Sequence, residues 1–166
     1  MGDFPIVTAV LPDQEDALIR ASKRAPRNEV ARFIISDLDN AIDLMKPTSQ
    51  IGRKTRLSRD VALLLKSRVA LYEGSWLKYF ANTPFVPNGP GWPGKTKDYN
   101  ANYEYLTGSV EAESLYFLKI AMEAAKEVAE VYKNSLTANT GVVPQDAAEQ
   151  ENPFYGYVLW YRFVQV

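Results

Sequence analysis

Three rings that could stack on a ligand, Trp92, Tyr99 and Tyr103, are interleaved with Asp98, Asn100 and Asn102 in one stretch of the chain. Aromatic faces suit the C–H face of a sugar, and amides and carboxylates suit its hydroxyls, so these six residues are the candidate ligand-binding set. Covalent chemistry has far less to work with. The 166 residues hold no histidine and no cysteine, which removes thiol nucleophiles, thiolate metal sites, the commonest zinc ligand and every Ser-His triad. Carboxylate catalysis of the glycosidase kind needs two acids about 5–9.5 Å apart across a cleft. Asp37, Asp39 and Asp43 lie on one predicted helix, and only Asp37 points to its apolar side, so no enzyme, metal site or cofactor is expected.

The candidate set lies in a segment, 81–108, in which Pro84, Pro87, Pro90 and Pro93 alternate with Gly89, Gly91 and Gly94. That spacing forbids regular structure through its first half. A loop of this length is often functional. Aromatic residues in a loop also serve to pin it onto the domain's own core, and the pinning reading is the stronger of the two.

Three helices must position this loop. The first is predicted over about 28–46, opened by Pro26 and a capping Asn28 with Glu29 in its first turn. Val30, Phe33, Ile34, Leu38, Ala41, Ile42, Leu44 and Met45 form its apolar side, with Asp37 among them. The second is predicted over about 58–80, capped by Ser58, after a short loop in which Gly52 is free to take a turn conformation. Its main face is Val61, Leu64, Leu65, Val69, Leu71, Tyr72, Trp76 and Tyr79, into which Arg68 points. Leu63, Ala70 and Leu77 form a narrower stripe on the reverse. The third is predicted over about 110–134, Ala-rich on its apolar side.

Antiparallel pairing of the first two helices predicts that Asp37 and Arg68 meet in their interface. Loss of one partner of such a buried pair costs ~3–5 kcal/mol. Before these helices, Gly2 to Pro26 reads as extended chain with one short helix near Glu15–Ser22. After them come a polar loop and a densely apolar end, NPFYGYVLWYRFVQV, expected to be completed by a partner or by further chain.

Composition bounds the partners. With 19 basic and 20 acidic residues the net charge is −1, which gives no reason to expect nucleic acid or an anionic membrane surface. At 46% hydrophobic the chain can bury a core, and no run approaches the roughly 18 apolar residues of a membrane span. The opening MGDFPIVTAV lacks the basic start of a signal peptide, so either the protein is made for the cytoplasm or its beginning is missing.

Taken in order, GDFPIVT at 2–8, RAPRNEVARFIISDLDNAIDLM at 24–45, GRKTRLSRDVALLLKSRVALYEGSWLKYF at 52–80 and AMEAAKEVAEVY at 121–132 resemble the middle of the SusD-like family. These are the cell-surface glycan-binding lipoproteins of Bacteroidetes nutrient-uptake systems. The resemblance spans about 2–133 and implies an all-α fold of TPR-like antiparallel helix pairs with long irregular loops. The chain would be an internal segment, a single partial domain over 1–166. The family's lipidated N-terminus and its large C-terminal part have no counterpart in it.

The resemblance further implies non-catalytic capture of an oligosaccharide or polysaccharide at the bacterial outer membrane. The partner would be a SusC-like TonB-dependent transporter, on which the binding subunit sits as a lid. Membrane attachment would come only through the lipid anchor. The family's glycan contacts vary, so no binding residue is carried over from it. The alternative is a TPR-like protein-interaction module without a sugar site, favoured if the aromatic loop packs inward.

Overall fold

The computed structural model describes residues 2–48 and 57–134. Gly52 and the apolar end after 152 lie outside the described residues. Residues 1–130 form one compact unit; of a second, 131–166, only the end of the last helix and a turn are described.

The first unit is predominantly helical, with a minimal sheet at its start. Strand β1 (Phe4–Pro5) pairs antiparallel with β2 (Arg24–Ala25), Phe4 opposite Ala25. Between them lies α1 (Glu15–Ala21), where the short helix is expected. The long helices are α2 (Arg27–Leu44), α3 (Arg59–Tyr79) and α4 (Val110–Tyr132), each close to its predicted span.

Local chemistry accounts for the ends. Ser58 caps α3 as expected, its Oγ accepting from the Val61 N–H at 3.4 Å, and Asp60 and Lys78 complement the helix dipole at the two ends. Ser109 does the same for α4, accepting from Ala112 N at 3.1 Å. The start of α2 departs from expectation. Pro26 is its N-cap residue, without a side-chain cap. Asn28 lies inside the first turn, buried, where its amide is committed to other elements.

Cross-helix contacts fix the directions. Arg27 meets Glu73, Asp39 meets Lys66, and Arg59 N donates to the Lys46 carbonyl, so α2 and α3 run antiparallel. Ser114 Oγ donates to the Gly74 carbonyl, Ser67 Oγ to the Ala121 carbonyl, and Arg59 pairs with Glu127, so α4 is antiparallel to α3 as well. The core they share is Ala31, Ile35, Ala70, Leu77, Val86, Tyr105, Phe117 and Ala121.

The buried face of α3 is the narrow one. Leu63, Ala70 and Leu77 are buried with Ala62, Glu73 and Gly74, whereas Val61, Leu64, Leu65, Leu71, Tyr72 and Tyr79 of the expected main face are exposed. Close approach explains the choice. A Cβ at Gly74 would stand 2.8 Å from Leu118 Cγ and 3.0 Å from the Ser114 carbonyl oxygen, so only a glycine lets α3 and α4 cross there. On α2, likewise, the fully buried apolar positions are Ala31, Ile35 and Ile42, while Val30, Phe33, Ile34 and Leu38 are half-buried.

The expected Asp37–Arg68 pair does not form. Both side chains are exposed, because each helix is rotated so that the line containing its inward-looking charge faces outward. A different ion pair, Arg27–Glu73, joins the two helices internally.

Candidate functional site

Four elements deliver charge to one junction. The first turns of α2 bring Arg27, Asn28 and Arg32, α3 brings Glu73, α4 brings Glu113, and the segment before β1 brings Asp3. Arg27 grips Glu73 with Nε at 2.9 Å and Nη2 at 2.7 Å, and the two side chains are 3% and 0% exposed. Arg32 holds Glu113 through Nε at 2.7 Å and Nη2 at 2.8 Å. Asn28 Nδ2 and Thr107 Oγ1 donate to the same carboxylate at 3.0 and 2.7 Å. Such forked, charge-assisted contacts offset the loss of hydration that burial imposes.

The proline-rich loop closes over this junction with its own aromatics. Tyr103 OH donates to Asn28 Oδ1 at 2.8 Å, and Trp92 Nε1 donates to Asp3 Oδ2 at 3.0 Å. The other oxygen of Asp3 accepts from Arg27 N at 3.1 Å. Gly94 lies under the Trp92 ring, where any side chain would collide with it. The guanidinium of Arg27 lies 4.4 Å from the Trp76 ring centre and that of Arg32 3.9 Å from Tyr116, which adds cation–π attraction.

These placements shift the titrating groups. Burial pushes Glu113 up, but the hydrogen bonds from Arg32, Asn28 and Thr107 outweigh it and hold its carboxyl below the ordinary value. The bond to Glu113 raises Arg32 in turn. Burial dominates at Asp3, which is raised despite the bonds from Trp92 and Arg27. Burial also pushes Tyr103 and Tyr105 well above the usual phenol range.

The six predicted binding residues separate into two groups. Trp92 and Asn100 are buried and Tyr103 half-buried, holding the loop to the segment before β1, to β2 and to α2 respectively. Asn100 Nδ2 donates to the Arg24 carbonyl at 3.2 Å. Tyr99, Asp98 and Asn102 remain exposed. Tyr99 OH accepts from Arg24 N at 3.5 Å, and Lys23 Nζ is 5.7 Å from its ring centre. The rings of Trp92 and Tyr103 stand 5.8 Å apart, tilted by 59°. Two of the three candidate rings, Trp92 and Tyr103, thus pin the loop, as the stronger sequence reading expects, and Tyr99 is the exposed one.

The junction is chemically closed. Among the described residues no buried side-chain nitrogen or oxygen lacks a hydrogen-bond partner. No cluster of three or more acids among them is placed to hold a metal ion, and Asp37, Asp39 and Asp43 are exposed on α2.

A second feature was missed as a site. A depression of about 400 Å³ runs along the outside of α3, lined by Arg68, Leu71, Tyr72, Ser75, Trp76, Tyr79 and Phe80. Trp76 stacks with Tyr72 at 5.8 Å and packs on Phe80 at 4.4 Å. The sequence carries it as the main, wider apolar line of α3.

Comparison of the chain with protein-family models, with curated proteins and with solved structures finds no match. Among the described residues no helix is long and apolar enough to cross a membrane.

Proposed function

We propose that this chain is the helical scaffold of a SusD-like, non-catalytic glycan-capture subunit at the bacterial cell surface. It would work beside a SusC-like TonB-dependent transporter, with its helices stacked as TPR-like pairs. One observation carries this reading. The residues of the motifs that resemble the family, Asp3 of GDFP, Arg27, Asn28 and Arg32 of RNEVAR, and Glu73 with Gly74 of LYEG, converge on one buried junction. A signature that converges in the interior belongs to a fold that holds a surface. It needs no catalytic group, and the closed hydrogen bonding of the junction fits that role.

On this reading the glycan touches little of the loop beyond its exposed ring, Tyr99, with Asp98 and Asn102 beside it. Calorimetric titration of the full-length protein with soluble polysaccharides tests the reading. Binding is expected, together with co-purification of a TonB-dependent barrel. Tyr99→Ala should weaken binding if the loop contributes, whereas Trp92→Ala should lower stability and leave the affinity of the folded fraction unchanged. Failure to bind any polysaccharide, with no barrel partner recovered, would sink the proposal.

The inward packing of Trp92 and Tyr103 favours a second reading, a TPR-like protein-interaction module without a sugar site. It predicts a protein partner and no polysaccharide affinity in the same experiments.

A further inference from the structure

We propose that the outward face of α3 docks an amphipathic helix of a partner protein, one that places a carboxylate opposite Arg68. The inference rests on the exposed side of the helix alone and is independent of any glycan.

Val61, Leu64, Leu65, Leu71, Tyr72 and Tyr79 leave between 43% and 77% of their surface exposed. They occupy one side of a 21-residue helix, about 31 Å long at 1.5 Å per residue. Scattered exposed apolar residues need no explanation, but a continuous apolar strip along a whole helix marks an interaction surface. Within it Val61, Leu65, Arg68, Tyr72, Ser75 and Tyr79 follow alternating spacings of four and three. That is the seam a helix presents to another helix, whose ridges enter the gaps between these side chains. The depression around Tyr72, Trp76 and Phe80 lies on this seam and offers room for an anchoring side chain.

Charge selects the occupant. Arg68 stands near the middle of the seam and has no acidic partner among the described residues, and the strip carries no acid of its own. A second copy crossing antiparallel at the centre would bring the two Arg68 side chains together, which like-charge repulsion disfavours. An acid on a partner helix would satisfy Arg68 and set the register. A sugar is a poor fit, because few polar groups face the depression and the Trp76 N–H is already bonded to the Phe85 carbonyl at 3.1 Å.

The test uses the whole chain and two synthetic helical peptides with leucines in the same four-three spacing. The peptides differ only at one central position, Glu in one and Lys in the other. By calorimetry the Glu peptide should bind at least about tenfold more tightly, the scale of one desolvated charge contact. Arg68→Glu should invert that preference, and Leu71→Asp should abolish binding of both peptides. Circular dichroism checks that each variant keeps its helices, as substitutions on an exposed face should. Absence of binding by both peptides, equal binding, or a preference unmoved by Arg68→Glu would overturn the proposal. So would sedimentation showing that the chain dimerises through this face, or displacement of the Glu peptide by an oligosaccharide.

Discussion

The two faces of α3 differ in a way that hydropathy alone misorders. The inner face is small and charged, with Ala62, Ala70, Gly74 and Glu73 buried beside Leu63 and Leu77. The outer face is large and apolar, and it is exposed. Close approach of backbones rewards small residues, and a buried acid is stable where a forked arginine meets it. The inner face was therefore selected for fit, and the outer one is available for a partner.

The largest expected effect comes from breaking the inner face. Glu73→Ala leaves Arg27 buried without its counter-charge and should cost about 3–5 kcal/mol in urea unfolding. A loss near zero would mean that Arg27 escapes to water and that the junction is not locked. Gly74→Val should follow at about 1–3 kcal/mol, since the added side chain must push Leu118 and the Ser114 carbonyl away.

Acidity sharpens the comparison next. The carboxyl of Glu113 is held below its ordinary value of 4.5 in the folded chain. The unfolded chain therefore takes up a proton first as pH falls. The stability that this group supplies is present above its unfolded value and is lost as pH falls through the lower, folded one. Asp3 has the opposite sign. Raised above 3.8 when folded, it supplies stability below that value, and this fades as pH rises through its folded value. Unfolding measured from pH 6 down to pH 2, as about four decades of proton activity, should show an acid loss that is reduced in Glu113→Gln. An unchanged pH slope in that variant would contradict the assignment.

The smallest effect belongs to the outer face. Arg68→Ala and Asp37→Ala should each change stability by no more than about 0.5 kcal/mol, the scale of surface substitutions. A loss of several kcal/mol from either would return these residues to the interior.

Much of the fold was legible in the chain. Helical period, Ser58 as a cap and the proline–glycine run placed three helices and the long loop within a few residues. The rotation of those helices was not legible, because periodicity ranks faces by hydropathy, whereas the buried face of α3 carries small residues and Glu73. Arg27, Glu73 and Glu113 are buried only because elements distant in sequence meet them. A signal was nevertheless present: Leu63, Ala70, Gly74 and Leu77 recur at helical spacing and read as a line of close approach, with Glu73 beside it. For the loop, the pinning reading matches Trp92, Asn100 and Tyr103, while Tyr99 kept its exposure. The two-residue pairing of Phe4–Pro5 with Arg24–Ala25 left no pattern in the sequence, being set by long-range contacts such as those of Asp3.

Asp3 also bears on the order of events in folding. Its two oxygens reach Arg27 N and Trp92 Nε1, spanning 24 and 89 residues of chain. Helical turns need only local contacts and form quickly, whereas a tie across so long a stretch closes after the intervening helices have met. In a variant with Trp76 and Trp160 replaced by phenylalanine, which leaves Trp92 as the sole indole, stopped-flow fluorescence should lag the far-ultraviolet dichroism. Asp3→Asn offers one acceptor oxygen where Asp3 offers two, so it loses one of the two ties and should weaken the late indole signal. The opening residues thus act as a late clasp, recording in one indole signal that the chain has closed.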